Sequence, residues 1–272
     1  MKKIITLFIS LLILSCSSSD DSSEVNNRIN NNGNSNATFS IDLTSNRTAV
    51  VDEIISVDIT GNENIMTLEA SLDDFQTTIF NQTNSSSFGA SSTLYFNFDE
   101  LGNKTISIKA INNSGEEIIK TITVTILRGD AVKITSIEVV SFSNIHNTWD
   151  PEFLNTDVNR LADVFLLLRK PKVNIIDSSS FPLRDWFRSE TKENQGDLIW
   201  DVSSHNLYIN PNFSLRYSMA DVDDGGMSQD IMLGPPFERE VTFVEHITTQ
   251  PTTITLSIPN IDLEVVFTVE WN

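Results

Sequence analysis

Residues 104–126 read KTISIKAINNSGEEIIKTITVTI. Lys104-Thr105-Ile106-Ser107-Ile108-Lys109-Ala110 and Thr121-Ile122-Thr123-Val124-Thr125-Ile126 each alternate apolar and polar residues, so each places one greasy face inward as a strand does. Between them Asn112-Asn113-Ser114-Gly115 supplies turn residues that accept tight backbone geometry. This is the terminal hairpin of a β-sandwich.

The same period-two pattern extends upstream, in Phe39-Ser40-Ile41-Asp42-Leu43, Ile55-Ser56-Val57-Asp58-Ile59 and Thr93-Leu94-Tyr95-Phe96-Asn97-Phe98. These strands define a first domain over residues 37–129. Its closing stretch, Gly102 to Ile126, resembles the last strands of a polycystic kidney disease (PKD) or related immunoglobulin-like repeat. That family's tryptophan and Gly-Asp-Gly signature is missing, because residues 66–76 read MTLEASLDDFQ. The resemblance therefore implies an Ig-like sandwich and no more. No chemistry stands out in this domain, which reads as a spacer or adhesive module. Asn46, Asn81, Asn84, Asn112 and Asn212 begin N-x-S/T triplets, which an Asn-rich chain produces by chance.

Downstream, residues 130–272 open with the strand Ile134 to Phe142, followed by a long loop through Trp149, Pro151 and Phe153. Asp157-Val158-Asn159-Arg160-Leu161-Ala162-Asp163-Val164-Phe165-Leu166 then resembles the C2 pattern, in which one Asp precedes another by six positions and the second opens a strand. Val164 stands where that family usually has proline. Leu215-Arg216-Tyr217-Ser218-Met219-Ala220-Asp221-Val222-Asp223 resembles the later C2 strand that runs into an Asp-x-Asp loop. Asp230-Ile231-Met232-Leu233-Gly234 resembles the closing of that loop, with Leu233 an extra residue, and Trp200 lies where the family often has a tryptophan.

The resemblance implies a second β-sandwich with calcium as its cofactor. In that strand order both acidic loops lie at one end, so Asp157, Asp163, Asp221, Asp223 and Asp230 are expected to converge. Each close pair of carboxylates repels by about 4 kcal/mol at 4 Å and an effective dielectric of 20. A hard cation with six to eight oxygen ligands relieves that repulsion, which is the calcium preference. The competing reading is that Asp-rich turns are common in a very acidic chain. An EF-hand is excluded, since the fifth position of the loop counted from Asp221 is Gly225 and the twelfth is Met232. Trp149, Phe153 and the Met227 tip are the expected ligand contacts. Arg169-Lys170-Pro171-Lys172 reads as solvated edge protection ahead of a small anionic-lipid or polysaccharide contact, and Trp186-Phe187 as a plug over the core ahead of an exposed binding pair.

At the start of the chain, Met1-Lys2-Lys3 precedes an apolar run from Ile4 to Leu14, too short to span a bilayer. It ends in Ile13-Leu14-Ser15-Cys16, which resembles the bacterial lipobox and implies lipidation of Cys16. Cys16 is the only cysteine, so no intrachain disulfide is available. Residues 17–36, SSSDDSSEVNNRINNNGNSN, hold too little apolar surface to fold and read as a disordered tether reaching roughly 25 Å. The Ser-Ser-Ser-Asp-Asp run resembles the acidic export signal of surface lipoproteins in Bacteroidetes.

The chain carries 18 basic and 37 acidic residues; removing Lys2 and Lys3 with the leader leaves 16 basic residues and a net charge of −21. Such a surface repels nucleic acid and anionic lipid. Sixteen Phe among abundant Ile, Val and Thr favour strands. His146, His205 and His246 are scattered and fall in no ligand motif. There is no GxSxG elbow and no Gly-rich phosphate loop.

The expectation is an all-β protein. Residues 1–15 form a signal peptide and 16–36 a lipidated cysteine and disordered linker. Residues 37–129 form an Ig-like sandwich and 130–272 a C2-like sandwich. Its expected role is that of a non-enzymatic, calcium-dependent binding or adhesion module at the cell surface. Lipid would anchor it in the outer membrane, and it would contact a glycan, protein or lipid surface. The alternative is a structural accessory lipoprotein of an envelope complex whose metal only stabilises.

Overall fold

The computed structural model describes residues 39–172, 174–175, 183–222 and 228–272. The leader, Cys16 and the tether lie outside these, as do Asp223 and Met227. The chain is all-β: among the described residues the helices are single 3-10 turns, and no helix is long and apolar enough to cross a membrane.

The proximal sandwich packs two sheets. One has the order β1 (Ile41–Thr44), β3 (Ile55–Gly61), β6 (Ser91–Phe96), β11 (Asn174–Ile175). The other runs β2 (Thr48–Val50), β8 (Glu117–Leu127), β7 (Gly102–Asn112), β4 (Ile65–Ser71), β5 (Phe80–Thr83). Alternation decides which side chains meet: β3 buries Ile55, Val57 and Ile59 while Ser56, Asp58 and Thr60 face water. Opposite them lie Ile106, Ile108 and Ala110 of β7 with Ile122, Val124 and Ile126 of β8. The hairpin turn is built as its residues predict. Asn112 Oδ1 accepts from the Ser114 and Glu116 amides at 3.0 and 2.8 Å, and Gly115 takes a φ of +81° that a side chain would resist.

The distal sandwich is built the same way. Its first sheet has the order β13 (Ile199–Asp201), β9 (Val132–Ser141), β19 (Leu263–Glu270), β18 (Thr253–Ile258), with β14 (Leu207–Ile209) also on β9. Its second runs β12 (Leu183–Arg188), β10 (Val164–Pro171), β15 (Leu215–Val222), β16 (Ser228–Asp230), with β17 (Arg239–Val241) also on β15. Tyr217 of one sheet meets Phe267 of the other edge-on, centroids 6.0 Å apart. Trp200 is buried, and its Nε1 donates to the Glu190 carbonyl at 2.9 Å.

The two cores change over at the adjacent residues Ala131 and Val132. The sandwiches nevertheless share a sheet, because β11 pairs antiparallel with β6 through Asn174↔Phe96 and Ile175↔Tyr95. The reading of Arg169-Lys170-Pro171-Lys172 as a solvated edge needs correcting. Leu166, Leu168 and Lys170 fall on the same inward phase of β10, so Lys170 is 1% exposed while Arg169 points out between them. Trp186 and Phe187 do pack, half-buried, against the distal core.

Candidate functional site

The acidic loops belong to one end of the second distal sheet, where the start of β10 meets the end of β15 through Val164↔Asp221. Along β15 the inward phase is Leu215, Tyr217, Met219 and then Asp221, which is fully buried. Its Oδ1 accepts from the Asp163 amide at 2.6 Å, and the Val222 amide donates to the Asp163 carbonyl at 3.0 Å. Asp163 Oδ1 in turn accepts from the Asn194 amide at 2.6 Å. A carboxylate that accepts backbone N–H groups satisfies donors that the end of a strand would otherwise bury without a partner.

Of the five aspartates expected to converge, the described structure brings together Asp163 and Asp221. Asp230 sits opposite Ala220, the neighbour of Asp221, and residues directly opposite share a face while successive residues do not. Asp230 therefore stands on the other side of the sheet from Asp221. There it folds the next turn, with Oδ1 accepting from the Met232 amide at 2.9 Å and Oδ2 from the Gly234 amide at 2.7 Å. Asp157 caps the 3-10 turn Val158–Arg160 by accepting from the Asn159 amide at 3.0 Å. Asp223 lies outside the described residues. Among the described residues no group of three or more His, Cys, Asp or Glu is disposed to hold a metal ion. The four aspartates that are described accept from backbone amides, and Asp221 and Asp230 stand on opposite faces of the sheet.

The loop that leads into this end has a different character. Trp149 is half-buried, packs edge-on against Phe142 with centroids 6.0 Å apart, and donates from Nε1 to the Asn144 carbonyl at 3.1 Å. The Trp149 amide donates to the Arg160 carbonyl at 2.7 Å. Arg160 ties both limbs of the loop together, donating from Nε to the Asn155 carbonyl and from Nη1 to the His146 carbonyl, each at 2.7 Å. On this fixed backbone Phe153, Leu154 and Val158 are 38%, 76% and 60% exposed. Of the three expected contacts, then, Trp149 anchors the loop, Phe153 stands at its surface, and Met227 lies outside the described residues. Leu154 and Val158 escape a reading of the sequence because they lie in a stretch without alternation, where nothing separates an apolar residue turned inward from one turned outward.

No family model matches the sequence, and no curated protein matches it. Among solved structures the chain is similar to the PKD domain of an M14-like peptidase from a Thermoplasmatales archaeon. That domain is 15% identical; the match covers 32% of this chain and 93% of that one, with a TM-score of 0.27.

Proposed function

We propose that the chain is a surface-displayed binding lipoprotein, held in the outer membrane by lipid on Cys16, whose distal C2-like domain presents the loop of residues 143–163 to a protein partner. The observation that carries this reading is the exposure of Leu154 and Val158 on a backbone already pinned by Arg160 and Trp149. Holding aliphatic groups in water costs roughly 25 cal/mol per Å², and a loop fixed before contact loses little further entropy on binding. Aliphatic contacts suit a protein better than a sugar face. The net charge of −21 after leader removal works against an anionic bilayer and favours a partner with a basic surface. The function is binding rather than catalysis, and the Ig-like domain serves as a spacer.

The test uses soluble protein of residues 17–272 as bait on crosslinked envelopes, on a glycan array and on vesicles of phosphatidylcholine with phosphatidylserine. Each arm is run in EDTA and in about millimolar calcium, the range of extracellular calcium modules. The expected result is one stoichiometric protein captured by the wild type and lost in Leu154→Ser/Val158→Ser, with the melting temperature unchanged. Capture that survives the double substitution overturns the reading. The calcium arm decides separately whether the C2 resemblance extends to metal dependence, since capture of equal strength in EDTA removes calcium from the function.

A further inference from the structure

Four charged side chains meet where the two sandwiches touch. Lys170 Nζ lies 2.7 Å from Asp52 Oδ1 and 3.8 Å from Asp99 Oδ2, and Arg184 Nη2 lies 2.8 Å from Asp99 Oδ1. Both carboxylates belong to the proximal domain and both cations to the distal one. The Lys170 ammonium also donates to the Tyr208 carbonyl at 2.9 Å, and the Trp186 ring covers it at 4.2 Å. Asp52 Oδ2 accepts from the Asn210 amide at 3.0 Å, and Asp52 itself holds a φ of +62°. The cluster is thus balanced, two charges against two, and tied by hydrogen bonds to Tyr208 and Asn210 of the distal domain.

We infer that this buried cluster locks the two sandwiches into one rigid body with a fixed mutual orientation. Ion pairs taken out of water add little net strength, because desolvation offsets their attraction. What they add is intolerance of any other arrangement, since a different docking angle leaves a buried charge without its partner. Adhesion between the domains comes from elsewhere: β11 on β6, the Asn97 side chain on the Pro171 carbonyl at 3.2 Å, Tyr208 packed on the proximal core, and Arg128 on the Glu270 carbonyl at 2.8 Å. Burial pushes the Lys170 ammonium below and the Asp52 carboxyl above their ordinary values, as for charges deprived of water. Burial raises Asp99 too, but Lys170 and Arg184 together outweigh it and hold that carboxyl below its usual range.

The test is made on residues 17–272. In a weakly aligned sample, one alignment tensor should fit the amide dipolar couplings of both sandwiches in the wild type. Lys170→Met should need two tensors, increase the radius of gyration in X-ray scattering and split the thermal transition, with far-UV dichroism unchanged. Asp52→Asn/Lys170→Met, which leaves no orphaned charge and keeps an acceptor for the Asn210 amide, should regain melting temperature but still need two tensors, because the pair that fixes the orientation is gone. Separate tensors for the wild-type domains overturn the inference whatever the variants do. So does a folded Lys170→Met that keeps the wild-type tensor and radius.

Discussion

The carboxylate of Asp221 offers the sharpest test of how the acidic end is built. It is fully buried, and its Oδ1 receives the Asp163 amide at 2.6 Å. Asp221→Ala removes the hydrogen bond and leaves the Asp163 N–H without that acceptor, about 1–3 kcal/mol. The small void left behind adds about 1 kcal/mol. A loss near 3 kcal/mol lowers the melting temperature of a chain this size by about 6–12 °C. Asp221→Asn keeps an oxygen for the same amide and should lose only about 1 kcal/mol. Differential scanning calorimetry of residues 17–272, in EDTA and again in about millimolar calcium, reads both. The capping account fails if Asp221→Ala melts like the wild type in EDTA. It also fails if the wild type gains several degrees from calcium and Asp221→Asn abolishes that gain, because the carboxylate would then be a metal ligand.

Other expectations follow from single groups. Tyr217 is buried with its hydroxyl on the Met219 sulfur at 3.1 Å, a weak acceptor, so Tyr217→Phe should unfold in urea within about 1 kcal/mol of the wild type. Burial also pushes that phenol well above its ordinary range, so its ionisation should be seen by ultraviolet absorbance only once the chain unfolds. Hydrogen bonds from the Thr77 hydroxyl, then the Thr77 amide and the Ser71 hydroxyl, hold the Asp73 carboxyl down at about 2 against an ordinary 3.8. A depressed carboxyl contributes stability that is full above its unfolded value and lost as pH falls through its folded one, so the Asp73 share should fade between 3.8 and about 2. Carbon-detected titration should show that midpoint, and Thr77→Val should move it back up. Cys16→Ser should abolish labelling by radioactive palmitate, and undiminished labelling would refute Cys16 as the acceptor.

How much of this could be read beforehand depended on whether the deciding contact was local. Alternation in residues 55–59, 104–110, 121–126 and 134–142 was enough to place β3, β7, β8 and β9, because one face of each packs and the other is wet. It was not enough for β4, where burial of Ala70 and Ser71 in succession breaks the period. The meeting of Asp163 and Asp221 was legible, since both sit where paired strands end. The separate placing of Asp230 was not, because its face depends on the register Ala220↔Asp230, which turn geometry sets together with the residue pattern. Lys170 carried a usable signal: it keeps step with Leu166 and Leu168, and a lysine on the buried phase of a strand asks for a carboxylate. Its partner Asp52 carried none, being one of two adjacent acids in a turn over a hundred residues earlier.

The strand that residues 174–175 add to β6 also sets an order of events as the chain emerges N-terminus first. When residue 130 has emerged, every other strand of the proximal sandwich is available, but the β6 edge is open and Asp52 and Asp99 face water. These are closed only when β10 and β11 arrive some 45 residues later. An open edge templates pairing with other chains, and pairings across long sequence separations form late. The emerging chain is therefore most prone to misassociate in that interval, and a truncation between residues 132 and 170 would leave the edge open without removing a single buried residue of the proximal core.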